Sequence, residues 1–307
     1  MKRMQLTLVL ALVATLGSAA SKDRGTLIRQ ATLYAGSSAN SNNLGHLDRG
    51  VDLTVLERSG AQSPDSNVPW VKVAARIGGN QGEPMRELTG WLPGGPVVAE
   101  STQNGAEIVY GEAVNSEHQA EQRGGRKGAA EDAMRLYQRV AELFPGSQLA
   151  GESAWRSADI RWQIEKGRGK TPVDDSFMKA VVQKFPGSKW ADLAAYEMID
   201  NQLCADWKGL ATCPQNEAQI YESYAREHPR SPKAAEALYK AAWRYGVVAD
   251  IFRINGDKAQ SSAAHQKALS VAHEVLDQFA RTDWKPRAMD LIYKLDQNIP
   301  LYGGGVE

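Results

Sequence analysis

Few side chains in this chain could do chemistry, and their spacing excludes most reaction types. Cys204 and Cys213 are the two cysteines. A thiol nucleophile needs a neighbouring base, and no histidine lies close to either cysteine in the sequence. Eight residues separate the pair, which is not a spacing of zinc ligands. A disulfide remains, and it requires an oxidising compartment.

The other candidates for catalysis also lack the required pattern. Gly169-Lys170-Thr171 is similar to the end of a phosphate-binding loop, but Ile164 stands where the first glycine is needed. There is no G-x-S-x-G motif. Neither H-x3-H nor H-E-x-x-H spacing, which zinc sites use, occurs among His46, His118, His228, His265 and His273. The sequence therefore predicts no enzyme, no metal and no cofactor.

The first twenty residues have the pattern of a secretory signal peptide. Lys2 and Arg3 precede the apolar run 6–16, and Ser18 and Ala20 place small side chains before a cleavage point. The run is too short to cross a membrane, which takes about 20 apolar residues. We therefore expect a periplasmic or secreted protein that is cleaved near Ala20. In that compartment Cys204 and Cys213 are predicted to form a disulfide that staples two helices.

Net charge favours protein partners over polyanions. The 307 residues include 36 Lys and Arg and 36 Asp and Glu. Loss of Lys2 and Arg3 with the signal peptide leaves 34 basic against 36 acidic residues, a net charge of −2. Nucleic acids and anionic membranes attract chains with a basic surplus. Both are therefore disfavoured, and no second apolar run approaches the length of a membrane span.

Residues 24–100 are predicted to form a small all-β barrel. Short runs of strand-forming residues alternate with turns rich in Gly, Asn and Ser. Residues 36–47 are interpreted as a polar turn region that ends in a short hydrophobic return. The predicted strands are Ala31–Tyr34, Asp52–Leu56, Trp70–Ala74, Gly90–Leu92 and the weaker Val97–Val98. Closing such strands into a barrel removes their exposed edges.

The order of motifs in this part resembles a bacterial SH3-like (SH3b) domain over residues 26–98. The resemblance rests on Leu33-Tyr34, Gly50 at the start of a strand, Trp70-Val71-Lys72-Val73 and Gly90-Trp91-Leu92. It implies a barrel that binds peptides, often those of the cell wall. Tyr34, Trp70 and Trp91 are the candidate ligand groove. The alternative is that both tryptophans fill the ends of the barrel as core, with Tyr34 the better groove candidate.

Residues 104–297 are predicted to be helical and repetitive. The junctions Phe144-Pro145-Gly146-Ser147, Phe185-Pro186-Gly187-Ser188 and His228-Pro229-Arg230-Ser231 place their prolines 41 and 43 residues apart. Each helix is expected to end before the proline, and each serine to cap the next helix. A fourth, less well conserved copy of the junction contains Phe279, with Ala280 in place of the proline. Aromatic residues predicted to pack between the helices are Trp155, Trp162, Tyr196 and Tyr239.

This arrangement resembles tetratricopeptide-type repeats, and its F-P-x-S junction is similar to that of periplasmic Tol-Pal coordinator and outer-membrane assembly repeat proteins. The resemblance implies four or five stacked helix pairs, an all-α solenoid that binds protein segments. Residues 298–307 are expected to be a flexible tail. The predicted fold is thus multidomain, an SH3-like barrel followed by a tetratricopeptide-like solenoid.

Two binding folds without a catalytic constellation predict a non-catalytic adaptor or scaffold of the cell envelope. Its repeats would hold protein partners, and its barrel a second partner or a peptidoglycan peptide. Two alternatives stay open at this point. One is a peptidoglycan hydrolase or its accessory subunit, since SH3b domains often accompany such enzymes. The other is a component of an outer-membrane assembly machine.

Overall fold

The computed structural model describes residues 23–62, 68–77 and 85–303. The expected signal peptide and its cleavage site near Ala20 lie outside the described residues, as does the end of the expected tail beyond Gly303. The described part of that tail, residues 298–303, is packed on the helices: Leu301 is 8% exposed in their core, and the N–H groups of Leu301 and Tyr302 donate to Asp250. Within the described ranges, an antiparallel sheet of seven strands precedes nine α-helices. In that part of the chain, no helix combines the length and apolar character needed to cross a membrane.

The strands form one sheet in the order β3-β2-β6-β5-β4-β1-β7, with β3 and β7 at its ends. Every strand contributes to a single core, from Leu27 in β1 to Val97 in β7. The sheet therefore curves around its apolar side chains. The strands are β1 (Asp23–Leu27), β2 (Ala31–Tyr34), β3 (Asn43–Leu47), β4 (Asp52–Gln62), β5 (Pro69–Ile77), β6 (Arg86–Pro93) and β7 (Val97–Ala99).

Two of these strands, β1 and β3, were not predicted as strands from the sequence. The segment expected to be a turn region contains β3, which pairs with β2. Leu47 of β3 is buried, with 1% of its surface exposed. β1 was not predicted because it carries Asp23, Arg24, Gly25 and Thr26 before its one large apolar residue. β1 forms because it pairs with both β4 and β7. β4, β5 and β6 are also longer than expected.

The helices follow one another in contact, each packing on its neighbour or on the next but one. A 3-10 helix, Met198–Gln202, continues α5. The α-helices are α1 (Gly105–Glu121), α2 (Ala129–Leu143), α3 (Ala150–Gly167), α4 (Ser176–Lys184), α5 (Lys189–Glu197), α6 (Thr212–Glu227), α7 (Ala234–Ile254), α8 (Lys258–Gln278) and α9 (Trp284–Asp296). This layout fits a helical repeat.

The repeat junctions have one shared geometry. Phe144, Phe185 and His228 follow α2, α4 and α6 with φ of −125°, −127° and −124°, and each backbone N–H donates to the carbonyl four residues earlier. Phe279 does the same after α8 with φ −122°. Pro145, Pro186 and Pro229 come next and are exposed. The fourth junction has therefore kept its geometry although it lost the proline.

The capping prediction holds for one serine of three. Ser188 accepts a hydrogen bond from the N–H of Ala191 and begins α5. Ser147 and Ser231 instead accept from the N–H two residues ahead, at 3.1 Å each. α3 and α7 begin three residues after those serines. The expected cap is wrong there because an extra turn precedes each helix.

The sheet is fixed to the helices through the loop between β3 and β4. Arg135 and Arg139 of α2 donate from Nε to the carbonyls of Arg49 and Gly50, at 3.0 and 2.9 Å. Arg49 pairs with Glu112 of α1 at 2.6 Å between Nη1 and Oε1. Gly50 has φ +73°, and a Cβ there would lie 2.5 Å from the Cβ of Arg135. Only glycine fits this contact without displacement.

We expect Gly50→Ala to lower the free energy of unfolding by about 2 kcal/mol, about half from the left-handed backbone and half from displacing Arg135. The matched control is Gly187→Ala, because Gly187 has φ +70° and open space around its Cβ position. The control should cost only the backbone share, about 1 kcal/mol. Urea unfolding of both variants measures the difference, and equal costs would contradict the contact.

Candidate functional site

The aromatic residues predicted to form a groove on the sheet are placed differently from one another. Trp70 is 2% exposed, so a ligand cannot reach its faces. Tyr34 packs edge-on against it with ring centroids 5.6 Å apart, and Trp91 lies beside Tyr34 across the β2–β6 pair. A groove of about 380 Å³ is lined by Tyr34 and by residues such as Ile28 and Pro93. Of the three aromatics, only Tyr34 lines it.

A second concave region lies on the helices, where α7 contributes to two adjoining cavities of about 590 Å³ each. The first, here the α7–α9 groove, is lined by Glu236, Tyr239, Lys240, Trp243, Arg244, Trp284, Arg287, Asp290, Leu291, Lys294 and Leu301. The second, here the loop cavity, shares Trp243, Arg244 and Leu301 and is otherwise lined by residues 203–209, Glu217, Val247 and residues 302–303. This pair of cavities is the candidate site.

The periodicity of α7 explains how one helix serves both cavities. Residues 236, 239, 240, 243 and 244 recur every three or four positions, so they lie on one face of the helix. The opposite faces bury Leu238, Val248 and several alanines in the core of the helical part. Burial of those faces fixes the rotation of α7. The polar and aromatic face is therefore left to line the cavities.

The walls of the site are aromatic and come from distant parts of the chain. The Tyr239 and Trp284 rings lie 5.2 Å apart in the α7–α9 groove. The Trp207 and Trp243 rings lie 5.8 Å apart at the boundary of the loop cavity. All four side chains are half-buried, so each ring has packed and open surface. Such surfaces are typical of ligand sites, which combine apolar walls with a few polar groups.

A buried ion pair joins the segments that carry these walls. Glu217 of α6 and Arg244 of α7 are 2% and 3% exposed, and Nε of Arg244 donates to Oε2 of Glu217 at 2.8 Å. Oε1 of Glu217 accepts from the backbone N–H of Cys204 and from Nε1 of Trp207, at 3.0 Å each. One carboxylate therefore holds the cysteine loop, its tryptophan and the arginine of α7 together.

The predicted disulfide is confirmed. Cys204 and Cys213 are bonded with their Cα atoms 6.1 Å apart. The bond joins the connection after the 3-10 helix to the first turn of α6, so it staples a loop to a helix rather than one helix to another. Trp207 lies inside the closed loop. The disulfide thus constrains the same segment that Glu217 holds by hydrogen bonds.

Charges in the α7–α9 groove are mostly paired. Lys240 lies 3.1 Å from Glu236, and Lys294 lies 2.7 Å from Asp290. Burial raises the pKa of Glu236, but hydrogen bonds from Lys233, Tyr196 and Lys240 outweigh burial and lower that pKa below its usual value. Glu236 is therefore ionised and already satisfied by its own partners.

The pKa of the Tyr239 phenol depends on its position in the groove. Burial raises its pKa, and the charges of Lys294, Asp290 and Arg287 act on it to a smaller extent. Tyr239 therefore stays a neutral hydroxyl at physiological pH.

The predicted packing residues of the repeats lie mainly between helices. Trp162 is 2% exposed, and Trp155 stacks on Trp190 with ring centroids 5.5 Å apart. Tyr196 is 8% exposed and donates to Glu236 Oε1 at 2.8 Å. Phe144 and Phe185 pack against the buried clusters beside their junctions. Tyr239 alone of this set lines the candidate site.

Four residues of the site were not predicted from the sequence: Trp207, Trp243, Trp284 and Arg287. The available signal was the first half of α7, where Glu236, Tyr239, Lys240 and Trp243 share one side of a helix that is otherwise rich in alanine. Within the described residues, no group of three or more potential ligands is placed to hold a metal ion. The arrangement is suited to binding through aromatic surface and charge.

Neither a protein-family model nor a curated protein matches this chain. Among solved structures, the chain is similar to the DHF58 filament at 14% identity and a TM-score of 0.25, covering 62% of this chain and 91% of that one. It is similar to the de novo designed helical repeat protein DHR64 at 16% identity and a TM-score of 0.24, covering 62% and 92%.

Proposed function

We propose that this chain is an exported, non-catalytic adaptor of the cell envelope, with an SH3-like barrel before tetratricopeptide-type repeats. The repeats bind a protein partner, and the barrel binds a second partner or a peptidoglycan peptide. The observation that carries the proposal is the α7–α9 groove, where aromatic side chains from two helices form a concave surface. The Cys204–Cys213 disulfide is compatible with export.

Support also comes from the way the two parts are joined. The loop between β3 and β4 is held by Arg135 and Arg139 of α2 and by Glu112 of α1. An adaptor that holds two partners needs a fixed relation between its binding surfaces, and these contacts supply one. The groove beside Tyr34 is the surface that the barrel offers to the second partner.

Capture of partners from envelope extract by the mature chain tests the proposal. Wild type and Trp190→Ala should retain the same partner, and Trp284→Ala should lose it, because Trp284 lines the α7–α9 groove and Trp190 does not. Both tryptophans are half-buried, so the two variants are matched in the size of the truncation. Equal capture by all three proteins, or no capture by any, would count against the adaptor function.

A further inference from the structure

We infer that the α7–α9 groove binds an acidic peptide segment that packs an apolar side chain against the edges of Tyr239, Trp243 and Trp284. The inference rests on the proposed function in that the occupant is a protein partner. It goes further by assigning the chemistry of the segment that is recognised.

The lining of the groove is positive although the mature chain is slightly acidic. Four cationic residues line it against two acidic ones, Glu236 and Asp290. Lys240 and Lys294 lie beside those two acids, and Arg244 pairs with Glu217 behind the wall. The remaining cation is Arg287. Among the described residues, no carboxylate lies within ion-pair distance of its guanidinium.

Arg287 is placed to recognise a carboxylate. Its Cζ lies 4.5 Å from the ring centroid of Trp284, and the side chain is exposed. A guanidinium over an aromatic face keeps its N–H donors free for bidentate contact with a carboxylate. Stacking also restricts the side chain before the ligand arrives, which reduces the entropy lost on binding. The groove therefore offers one oriented, unneutralised cation at an aromatic wall.

Aromatic walls often bind cations or sugars, but the arginines of this groove disfavour both kinds of ligand. Arg287 covers the face of Trp284, and Cζ of Arg244 lies 5.8 Å from the ring centroid of Trp243. A cationic ligand would meet these like charges. A sugar would need an open ring face of the kind that Arg287 occupies. An anionic segment gains from the same arrangement, and its apolar side chain can contact the ring edges of the half-buried Tyr239, Trp243 and Trp284.

The size of the groove agrees with a short peptide segment. Its volume of about 590 Å³ lies within the range of small-ligand sites, roughly 300–1,000 Å³. It also adjoins the loop cavity, with which it shares the lining residues Trp243, Arg244 and Leu301. A segment longer than a few residues can therefore extend from one cavity into the other.

Isothermal titration of the full mature chain with three capped hexapeptides tests the inference. The probes are Glu-Asp-Phe-Leu-Glu-Asp, its amide counterpart Gln-Asn-Phe-Leu-Gln-Asn, and Lys-Arg-Phe-Leu-Lys-Arg. We expect the acidic peptide to bind about tenfold more tightly than the amide peptide and the basic peptide to bind most weakly. Added salt should narrow the difference.

The site is assigned by charge reversal. Arg287→Glu should lower the affinity for the acidic peptide about tenfold and change the affinity for the amide peptide by no more than about twofold. Arg230→Glu is the matched control, because Arg230 is exposed in the α6–α7 junction and does not line the groove. Circular dichroism of both variants verifies folding. An unchanged affinity in Arg287→Glu, equal binding of the three peptides, or displacement of the acidic peptide by peptidoglycan glycan fragments would overturn the inference.

These outcomes are separable from those of the capture experiment. Partner capture that depends on Trp284, together with equal binding of the three peptides, would overturn the ligand class and leave the adaptor function standing. Selective binding of the acidic peptide that Arg287→Glu weakens about tenfold would support the ligand class even if the extract yielded no partner.

Discussion

Replacing Glu217 with alanine is expected to lower the free energy of unfolding by about 3–5 kcal/mol, because the change removes one partner of a buried ion pair. Arg244 is 3% exposed and would lose the carboxylate to which its Nε donates. The N–H of Cys204 and Nε1 of Trp207 would lose their acceptor at the same time. The loss of one side chain therefore affects three donors. Urea unfolding followed by far-UV circular dichroism measures the effect.

Two further variants separate charge burial from simple truncation. Glu227→Ala removes an exposed glutamate from the last turn of the same helix and should change stability by no more than about 0.5 kcal/mol. The double variant Glu217→Leu, Arg244→Met replaces both charges with apolar side chains and should recover the part of the loss that comes from the unpaired guanidinium, since a buried pair is often no more stable than an apolar one. The N–H of Cys204 and Nε1 of Trp207 still lack their acceptor in this variant, so the recovery should be incomplete. A cost below about 1 kcal/mol for Glu217→Ala would contradict the buried pair.

The Glu217 network also shows why the site was harder to predict than the fold. The junctions were predictable because proline restricts the residue before it, a local effect that acts on Phe144 and Phe185 wherever the helices go. Trp243 of α7 contacts Trp207 of the cysteine loop and lines a groove with Trp284 of α9 only because these separate segments of the chain pack together. Each of them alone is indistinguishable from an ordinary packing residue, so their spacing carries no signal of a site.

The same distinction between local and long-range effects explains the strands. β5 and β6 are rich in strand-forming residues and were predicted, although with shorter bounds. β1 was missed because its strand character depends on pairing with β4 and β7. β3 was missed because Gly45 and the polar residues around it suggest a turn, whereas pairing with β2 makes it a strand. Ladder hydrogen bonds with distant partners can override weak local preferences.

Reduction of the Cys204–Cys213 disulfide is expected to lower the free energy of unfolding by about 2.7 kcal/mol, the chain-entropy value for a closed loop of about ten residues. Cys204 is exposed, so a small reductant can reach the bond. The experiment compares urea unfolding of the wild type with and without dithiothreitol. The Cys204→Ser, Cys213→Ser variant is the control, since it should start at the lower stability and not respond to reductant.

Reduction of the disulfide should affect the loop cavity more than the α7–α9 groove. Reduction frees the loop that carries Trp207, so near-ultraviolet circular dichroism of the tryptophans should weaken as Trp207 moves from Trp243. The α7–α9 groove contains neither cysteine nor Trp207, and its affinity for the acidic hexapeptide should stay within about threefold, less than 1 kcal/mol. Loss of that binding on reduction would show that the loop shapes the groove directly. Retention would show that the disulfide stabilises the loop cavity while α7 and α9 alone position Tyr239, Trp284 and Arg287.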